Sequence, residues 1–274
     1  MNKIREFIKS VGACSMTITT LIFSFVPESC FSIGFIPVNI EPNNVILCNR
    51  LLTLLVVFIV ASIVKYFYLK FRKKITIKHN GYTVVVEYAN IFDKIDCKKV
   101  IGFDECFTTR VGEAPADIKP SSICGQFLSK HQNINIDNIL SQVGLKPQRK
   151  QSEYNNQYCY ESGRILPYND YLLLAFAKLD SSGLGRLTRE EYVRCLDILW
   201  EEIDKYYACK SVAIPILGSG ITRFRDESIT QQQLLDIIIA SYKMSPNKIK
   251  RPAELHIICR ESDDFSLNKI GEYV

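Results

Sequence analysis

Two long apolar stretches lie within the first 70 residues of this 274-residue chain. The first, from Ser10 to Pro27, contains no charged residue, and the second, from Leu51 to Leu69, is interrupted only by Lys65. About 20 residues cross a bilayer as an α-helix, so each stretch is long enough to span a membrane. Lys65 lies near the end of its stretch, where a lysine can extend its charged group to the headgroups. The sequence therefore predicts a hairpin of two transmembrane helices within residues 1–74, with spans at about 10–27 and 51–69.

Basic residues flank this hairpin and predict its orientation. Of the net charge of +5, residues 1–80 contribute +7, from ten basic and three acidic residues, and the rest of the chain carries −2. The positive-inside rule then places both termini in the cytoplasm of a bacterial inner-membrane, multi-pass protein, with a short external loop. A slightly acidic main domain excludes a nucleic-acid surface. A cleaved signal peptide is the alternative for the first stretch, but no small-x-small cleavage site follows it.

The cysteines and histidines form no metal-binding pattern. Seven of the ten cysteines fall within residues 75–274, without a CxxC pair or a Cys/His cluster at zinc spacing, so reduced thiols and no metal are expected. Cys30 and Cys48 lie in the predicted external loop, where a disulfide is an open alternative.

Residues 75–274 have the pattern of an α/β domain with a mixed sheet flanked by helices. Thr188 and Glu191 form a capping box at the start of a helix, and residues 228–242 carry a second helical stripe. Residues 129–165 are polar, with 146–150 as the expected exposed loop. Short apolar or alternating runs predict strands at 75–78, 82–88, 99–102, 172–179, 212–216 and 255–259.

The most informative segment is a Gly-x-Gly turn that follows a buried strand. Gly218 and Gly220 come after the apolar run that starts at Val212, and a helix follows a few residues later. Glycines there allow a positive φ and a close approach of a ligand to the backbone. The N–H groups of such a turn suit a phosphate or pyrophosphate. A plain tight turn is the alternative, because the segment is neither a complete GxGxxG nor a Walker A sequence.

The ordered motifs resemble those of macro domains. Pro-Ile-Leu-Gly-Ser-Gly-Ile at 215–221 resembles the phosphate loop that holds the diphosphate of ADP-ribose. Residues 86–92 occupy the place of the family's strand ending in Gly-Asp-Ile, and residues 100–109 stand where its Asn-Ala-Ala-Asn loop lies. Ser-Ser-Ile-Cys-Gly-Gln-Phe at 121–127 is similar to a Ser-Leu-His-Gly-Gln-Phe signature. That signature belongs to macro-domain effectors of Thoeris anti-phage defence, which carry paired membrane helices at the N-terminus.

Two departures from the macro-domain pattern bear on activity. Asn90 replaces the acid that reads adenine, and Phe103-Asp104-Glu105 replaces the catalytic asparagine of ADP-ribosyl hydrolases. The resemblance therefore implies a domain that binds its ligand without turning it over, so no enzyme activity is expected. A membrane-tethered ADP-ribosyl hydrolase is the alternative, with Asp104 or Glu105 as general base for a water. A scaffold with a vestigial pocket is a third possibility.

The resemblance further implies an anti-phage effector. A TIR-domain partner enzyme would make an ADP-ribose conjugate, which the domain binds with no cofactor. The chain would then form homo-oligomers, act on membrane lipid and disrupt the inner membrane. The predicted ligand-binding residues are Asn90, Ile91, Phe103, Asp104, Glu105, Ser122, Gly125, Gln126, Gly218, Ser219, Gly220, Ile221, Thr222, Arg223 and Phe224.

One further motif resembles an EF-hand loop. Residues 180–191 have Asp180 first, a glycine sixth and Glu191 twelfth. Ser182 and Leu184 stand at the third and fifth positions, which leaves too few charged oxygens for calcium. A strand, a turn and a capped helix are expected instead.

Overall fold

The computed structural model describes residues 2–32, 42–114, 116–220, 222–225, 228–262 and 265–270. The chain divides into two compact units, residues 1–72 and residues 73–274. Each unit is described by itself.

The first unit contains two long helices, α1 (Asn2–Phe25) and α2 (Pro42–Lys70). Both are long and apolar enough to cross a membrane, over Phe7–Phe25 and Asn44–Lys70. The hydroxyls of Thr17, Thr19 and Thr20 donate to carbonyls four residues earlier, which satisfies them inside an apolar helix. The predicted spans are therefore helical, although α1 ends two residues before the predicted limit and α2 begins nine residues earlier than predicted.

Polar contacts join α2 to the short 3₁₀ turn after α1 (Glu28–Phe31) at one end and to α1 itself at the other. The amide of Asn49 donates to the carbonyl of Phe31 at 2.7 Å, and Arg50 forms an ion pair with Glu28 at 3.2 Å. At the other end, the Nζ of Lys65 donates to the Ser10 hydroxyl at 2.5 Å. Cys30 and Cys48, for which a disulfide was left open, are both free thiols.

The second unit is built on one mixed sheet. Within the described residues its strands are β1 (Lys74–Lys78), β2 (Thr83–Tyr88), β3 (Cys97–Asp104), β4 (Ile165–Tyr168), β5 (Tyr171–Leu179), β6 (Gly185–Leu187), β7 (Ser211–Pro215), β8 (Arg223–Phe224) and β9 (Leu255–Cys259). The order is β1-β2-β9-β7-β3-β5-β6-β8, and β4 pairs with β5. The central strands β2, β9, β7, β3 and β5 are parallel, and β1 and β4 are antiparallel to their neighbours. Strand β6 is antiparallel to β5 and parallel to β8. The predicted α/β mixed sheet is confirmed.

Helices cover both faces of this sheet, which explains its continuous apolar strands. On one face α5 (Arg189–Tyr206) and α6 (Gln231–Met244) bury Trp200 and Tyr242 against the sheet. On the other face α3 (Ile123–Lys130) and α4 (Ile136–Val143) bury Phe127 and Leu140. Neighbouring residues of β5 alternate between the two cores, with Leu172 and Leu174 in the first and Leu173 in the second.

Local signals explain where the helices begin. Thr188 accepts from the N–H of Glu191 in the predicted capping box of α5, and Thr230 makes the equivalent box with Gln233 in α6. Helix α6, which was predicted to begin at residue 228, therefore begins three residues later, at Gln231. Helix α4 lies within the segment 129–165 that the sequence described only as polar, because its apolar face is confined to a few residues of a short helix.

Candidate functional site

The carboxyl ends of five parallel strands meet at one edge of the sheet. Asn90 and Ile91 follow β2, Asp104 ends β3, residues 216–222 follow β7, and residues 180–184 and 260–262 follow β5 and β9. In open α/β sheets this edge is where ligands bind, because loops from neighbouring strands form a crevice there. Three of the four segments chosen from the sequence thus lie on the same edge of the sheet.

The turn after β7 is anchored at its beginning. The N–H of Ile216 donates to the carbonyl of Ile258 at 3.2 Å, and the hydroxyl of Tyr192 donates to the carbonyl of Leu217 at 3.0 Å. Ser219 bonds back to the Ile216 carbonyl through both its N–H (3.3 Å) and its hydroxyl (2.6 Å). Ile216 and Leu217 are buried, so the loop starts from a rigid base.

The two glycines of this turn play different parts. Gly218 has φ +82°, and a Cβ there would lie 3.2 Å from the ring of Phe224, so both conformation and space require glycine. Gly220 does not use the left-handed φ that glycine allows, and a Cβ there would meet no described atom within 4 Å. Among the described residues, no acceptor forms a hydrogen bond with the backbone N–H of Gly218 or Gly220. The turn therefore presents free donors beside open space, which is the arrangement that an anionic ligand needs.

The far side of the turn is held by strand pairing. Residues Arg223 and Phe224 form β8, which pairs with Arg186 and Leu187 of β6. Phe224 is half-buried and lies edge-on to Tyr192, with ring centroids 5.6 Å apart. Phe224, one of the predicted ligand-binding residues, therefore packs beside Gly218 and supports the turn.

The remaining predictions in this loop concern three residues. Thr222 is half-buried, and its hydroxyl lies 3.9 Å from the position that a Cβ on Gly185 would take. For Arg223 the structure describes the backbone, and Ile221 lies outside the described residues.

Residues 103–105 turn their side chains inward. The register between β3 and β5 shifts between Phe103 and Asp104, and such a bulge changes the direction of the following side chains. Phe103 is 3% exposed and packs between the rings of Phe107 and Phe127 at 5.9 and 6.0 Å. The side chain of Phe103, one of the predicted ligand-binding residues, therefore belongs to the core.

Both carboxylates of this segment are engaged inside the protein. Asp104 accepts from the N–H groups of Cys106 (2.8 Å) and Thr108 (3.2 Å) and from the Thr108 hydroxyl. Burial raises the pKa of Asp104 above its ordinary value. Glu105 is 6% exposed and accepts from the Ser152 hydroxyl at 2.6 Å and the Leu179 N–H at 3.2 Å. Both predicted ligand-binding carboxylates therefore accept hydrogen bonds from the protein itself.

The fourth predicted segment forms the amino end of α3. Ser122 caps the helix by accepting from the N–H of Gly125 at 3.0 Å, and its hydroxyl donates to the Lys119 carbonyl at 2.7 Å. A Cβ on Gly125 would lie 2.3 Å from that carbonyl oxygen, so only glycine fits. Gln126 is half-buried and donates from its side-chain amide to the carbonyl of Ser121 at 2.9 Å. Ser122, Gly125 and Gln126, which were predicted as ligand-binding residues, therefore form the start of α3.

Asn90 lies at the start of a short 3₁₀ turn (Ile91–Asp93). Its side chain accepts from the Phe92 N–H at 3.1 Å and donates to Asp93 at 3.3 Å, and it is exposed. Ile91 is 2% exposed, in a small cluster with which Phe92 and Ile123 also pack. The Asn90 segment is therefore in contact with the beginning of α3, although Ile91 itself serves packing.

Sequence reasoning missed the part that residues 146–164 take in this edge. The N–H of Tyr160 donates to the Glu105 carbonyl at 2.8 Å, in addition to the bond from Ser152. A Cβ on Gly183 would lie 2.5 Å from the Cβ of Ala116 and 2.9 Å from the ring of Tyr154. Loops that are distant in sequence thus form one rim. The glycines of the turn at 180–185 were a sequence feature that could have indicated this close packing of loops.

The EF-hand-like segment forms a turn between β5 and β6. Asp180 accepts from the N–H groups of Ser182 and Leu184 at 2.9 and 3.0 Å and pairs with Arg186 at 2.5 Å. In the part of the chain that the structure describes, no three His, Cys, Asp or Glu side chains cluster as metal ligands.

A mixed α/β sheet with helices on both faces and a glycine turn at its carboxyl edge is the architecture of a macro domain. The sequence model of the family described as "Thoeris protein ThsA, Macro domain" matches residues 84–260. The Thoeris protein ThsA of Bacillus amyloliquefaciens (strain Y2) is 32% identical over 238 residues, covering 82% of this chain and 80% of that protein. The chain belongs to this ThsA macro-domain family of Thoeris proteins.

Solved structures give a more distant likeness. A substituted macrodomain of Oceanobacillus iheyensis superposes with a TM-score of 0.44 at 9% identity, covering 71% of this chain and 93% of that one. The macrodomain of the same organism with ADP gives a TM-score of 0.40 at 9% identity, with coverage of 70% and 90%.

Proposed function

We propose that this chain is a membrane-anchored anti-phage effector whose macro domain binds an ADP-ribose-derived signal. A TIR-domain partner enzyme supplies the signal, and the bound chain forms homo-oligomers that disrupt the inner membrane and stop growth. Membership of the Thoeris ThsA family supports the defence role. The observation that carries the ligand proposal is the anchored turn with free N–H groups at Gly218 and Gly220.

The chemistry of the turn suits a diphosphate. Each backbone N–H that donates to a phosphate oxygen makes a charge-assisted hydrogen bond, which contributes about 1.5–3 kcal/mol. The rigid base of the turn means that little ordering is required when the ligand binds. A bulky group at Gly220 would occupy the space that the ligand needs, whereas the fold leaves that space open.

The signal has to favour the assembled state. A ligand with equal affinity for monomer and oligomer shifts no equilibrium, and a change from 1:99 to 99:1 requires about a 10⁴-fold preference. We propose that bound ligand creates this preference by completing the rim of loops around the carboxyl edge. The two apolar helices are then gathered in the membrane, with both chain termini in the cytoplasm.

We propose that the domain binds its ligand without hydrolysing it. Asp104 and Glu105 are the carboxylates of the segment in place of the catalytic loop, and both accept hydrogen bonds from the protein itself. A general base needs to reach the water that it activates. Asp104→Asn tests this proposal, because a hydrolase would lose release of ADP-ribose from a modified peptide, and the proposed reader has no release to lose.

The ligand proposal is tested by calorimetry on the full chain in detergent, with ADP-ribose as the probe. We expect Gly220→Val to weaken binding at least about tenfold, since the valine side chain enters the ligand space. Its backbone is unstrained, so the unfolding temperature should not change. Gly144→Asn is the matched control, because Gly144 is also open but lies at the end of α4. Equal affinity of Gly220→Val and the control would refute the proposal, and so would the absence of binding by the unsubstituted chain.

The assembly step is tested by mass measurement in the same detergent. The added signal is the product mixture of NAD and a purified TIR-domain enzyme. We expect the mass to increase with the mixture and to stay unchanged with NAD alone. An unchanged mass at saturating signal would refute the oligomerisation.

A further inference from the structure

A second groove lies at the opposite, amino edge of the sheet. It is formed by the turn between β1 and β2, by the segment before β9 and by the carboxyl end of α5, and its volume is about 670 Å³. This is within the usual range for small-molecule sites of about 300–1,000 Å³. With a shallower neighbouring cavity, the lining comprises Lys78, His79, Asn80, Gly81, Tyr82, Asp204, Pro246, Asn247, Lys248, Lys250 and Arg251.

The groove is strongly basic. Four cationic side chains line it against the single carboxylate of Asp204. Among the described residues, Lys78 and Lys250 have no acidic partner and are exposed. A surface cation with no partner costs nothing to keep in water, but several around one concavity attract an anion.

The other two cations are held in place by the fold. Arg251 donates to the carbonyl of His79 at 2.9 Å and to the Thr83 hydroxyl at 3.3 Å, which leaves further N–H groups of its guanidinium available. The ammonium of Lys248 donates to the carbonyls of Tyr242, Lys243 and Ser245 at the carboxyl end of α6, so its three N–H groups are engaged and it contributes positive charge to the groove. The groove therefore has a preorganised positive wall.

Neutral polar groups complete the lining. The ring of His79 stacks on Tyr82 with centroids 5.0 Å apart, and its Nε2 atom is buried without a hydrogen-bond partner in the described chain. The Nε2 atom is therefore able to form a hydrogen bond with a ligand group in the groove. Asn80, Asn247 and Asp204 offer donors and acceptors for hydroxyl groups.

We propose that this groove binds a phosphate group that carries neighbouring hydroxyls. Lys78, Lys250 and Arg251 contact the phosphate, and Lys248 adds positive charge. The amides of the lining and Asp204 contact the hydroxyls. Two kinds of molecule carry a phosphate with neighbouring hydroxyls: an anionic lipid, through its glycerol phosphate headgroup, and a soluble sugar phosphate. The groove is separate from the carboxyl-edge turn and so serves a second ligand.

The soluble source is tested with ribose 5-phosphate as the probe, by calorimetry on the full chain in detergent. The Gly220→Val variant serves as background, so that the first site contributes no heat. We expect binding there, and we expect Lys78→Ala with Lys250→Ala to weaken it about tenfold, which corresponds to about 1.4 kcal/mol for the pair. Lys146→Ala is the control, since Lys146 is an exposed cation outside the groove.

The lipid source is tested by hydrogen exchange of residues 78–83 and 246–251 in nanodiscs. We expect slower exchange in phosphatidylglycerol than in phosphatidylcholine, and loss of the difference in the double variant. A response to either probe that the double variant weakens supports the proposal and identifies the source. The proposal is overturned if neither probe gives a response, or if the double variant matches Lys146→Ala for both.

Discussion

Glu105 provides a sharp test of how the carboxyl edge is built. Its Oε1 atom accepts two hydrogen bonds, from the Ser152 hydroxyl at 2.6 Å and from the Leu179 N–H at 3.2 Å. These donors are 47 and 74 residues away in sequence, so the carboxylate joins the end of β5 to the loop 146–164. Glu105→Ala removes the acceptor and leaves two buried donors without a partner.

The magnitude follows from these two bonds. A hydrogen bond to a charged group contributes about 1.5–3 kcal/mol, so their loss costs about 3–6 kcal/mol. Removing a buried carboxylate recovers part of its desolvation cost, and we therefore expect a net loss of about 3 kcal/mol. In a domain of this size that lowers the unfolding temperature by about 6–12 °C. Glu105→Gln keeps an oxygen in the same position and should cost only about 1 kcal/mol.

The assay uses the chain's single tryptophan. Trp200 is 1% exposed in the core of the macro domain, so its fluorescence reports the unfolding of this domain even in detergent. Glu113→Ala is the control, because the side chain of Glu113 is 87% exposed. If Glu105→Ala unfolds within about 1 °C of that control, the carboxylate does not hold the edge together, and the argument for its structural role is wrong.

Three further predictions concern other contacts of the fold. Gly125→Ala should destabilise the domain by about 2 kcal/mol in urea unfolding, because its Cβ would lie 2.3 Å from the Lys119 carbonyl oxygen; an unchanged midpoint would contradict this. Tyr192→Phe should cost about 1 kcal/mol and weaken ADP-ribose binding, since the hydroxyl anchors the Leu217 carbonyl; equal melting and affinity would count against it. Burial alone would raise the pKa of Glu87, but hydrogen bonds from Lys94 and His256 hold it below its ordinary value of 4.5. Its stabilising contribution is therefore present above pH 4.5 and is lost as the pH falls through the lowered pKa, so Glu87→Gln should flatten the acid limb of a stability–pH curve. An unaltered acid limb would refute that assignment.

Local sequence patterns predicted most of the secondary structure. The buried run at 172–179 and the alternation at 75–78 became β5 and β1, because side-chain period and burial are properties of each strand by itself. The capping box at Thr188 located the start of α5 to the residue. The short helix α4 was not predicted, since the apolar periodicity of eight residues is too weak to distinguish a helix from a polar loop.

The motifs also predicted which segments would meet, but not how each side chain would point. Gly218 was expected to need a left-handed φ, and it has one. Glu105 has no local signal that directs it inward, because its partners come from β5 and from a loop that the sequence described only as polar.

The sequence by itself determined the two apolar helices, the strand segments and the glycine turn, because each depends on residues close together in the chain. The tertiary structure alone decided the strand order, the bulge at Asp104 and the burial of Phe103 and Glu105. Strand pairing and the satisfaction of buried polar groups depend on partners far apart in sequence. A choice between ligand contact and core packing is therefore settled only when the whole sheet is assembled.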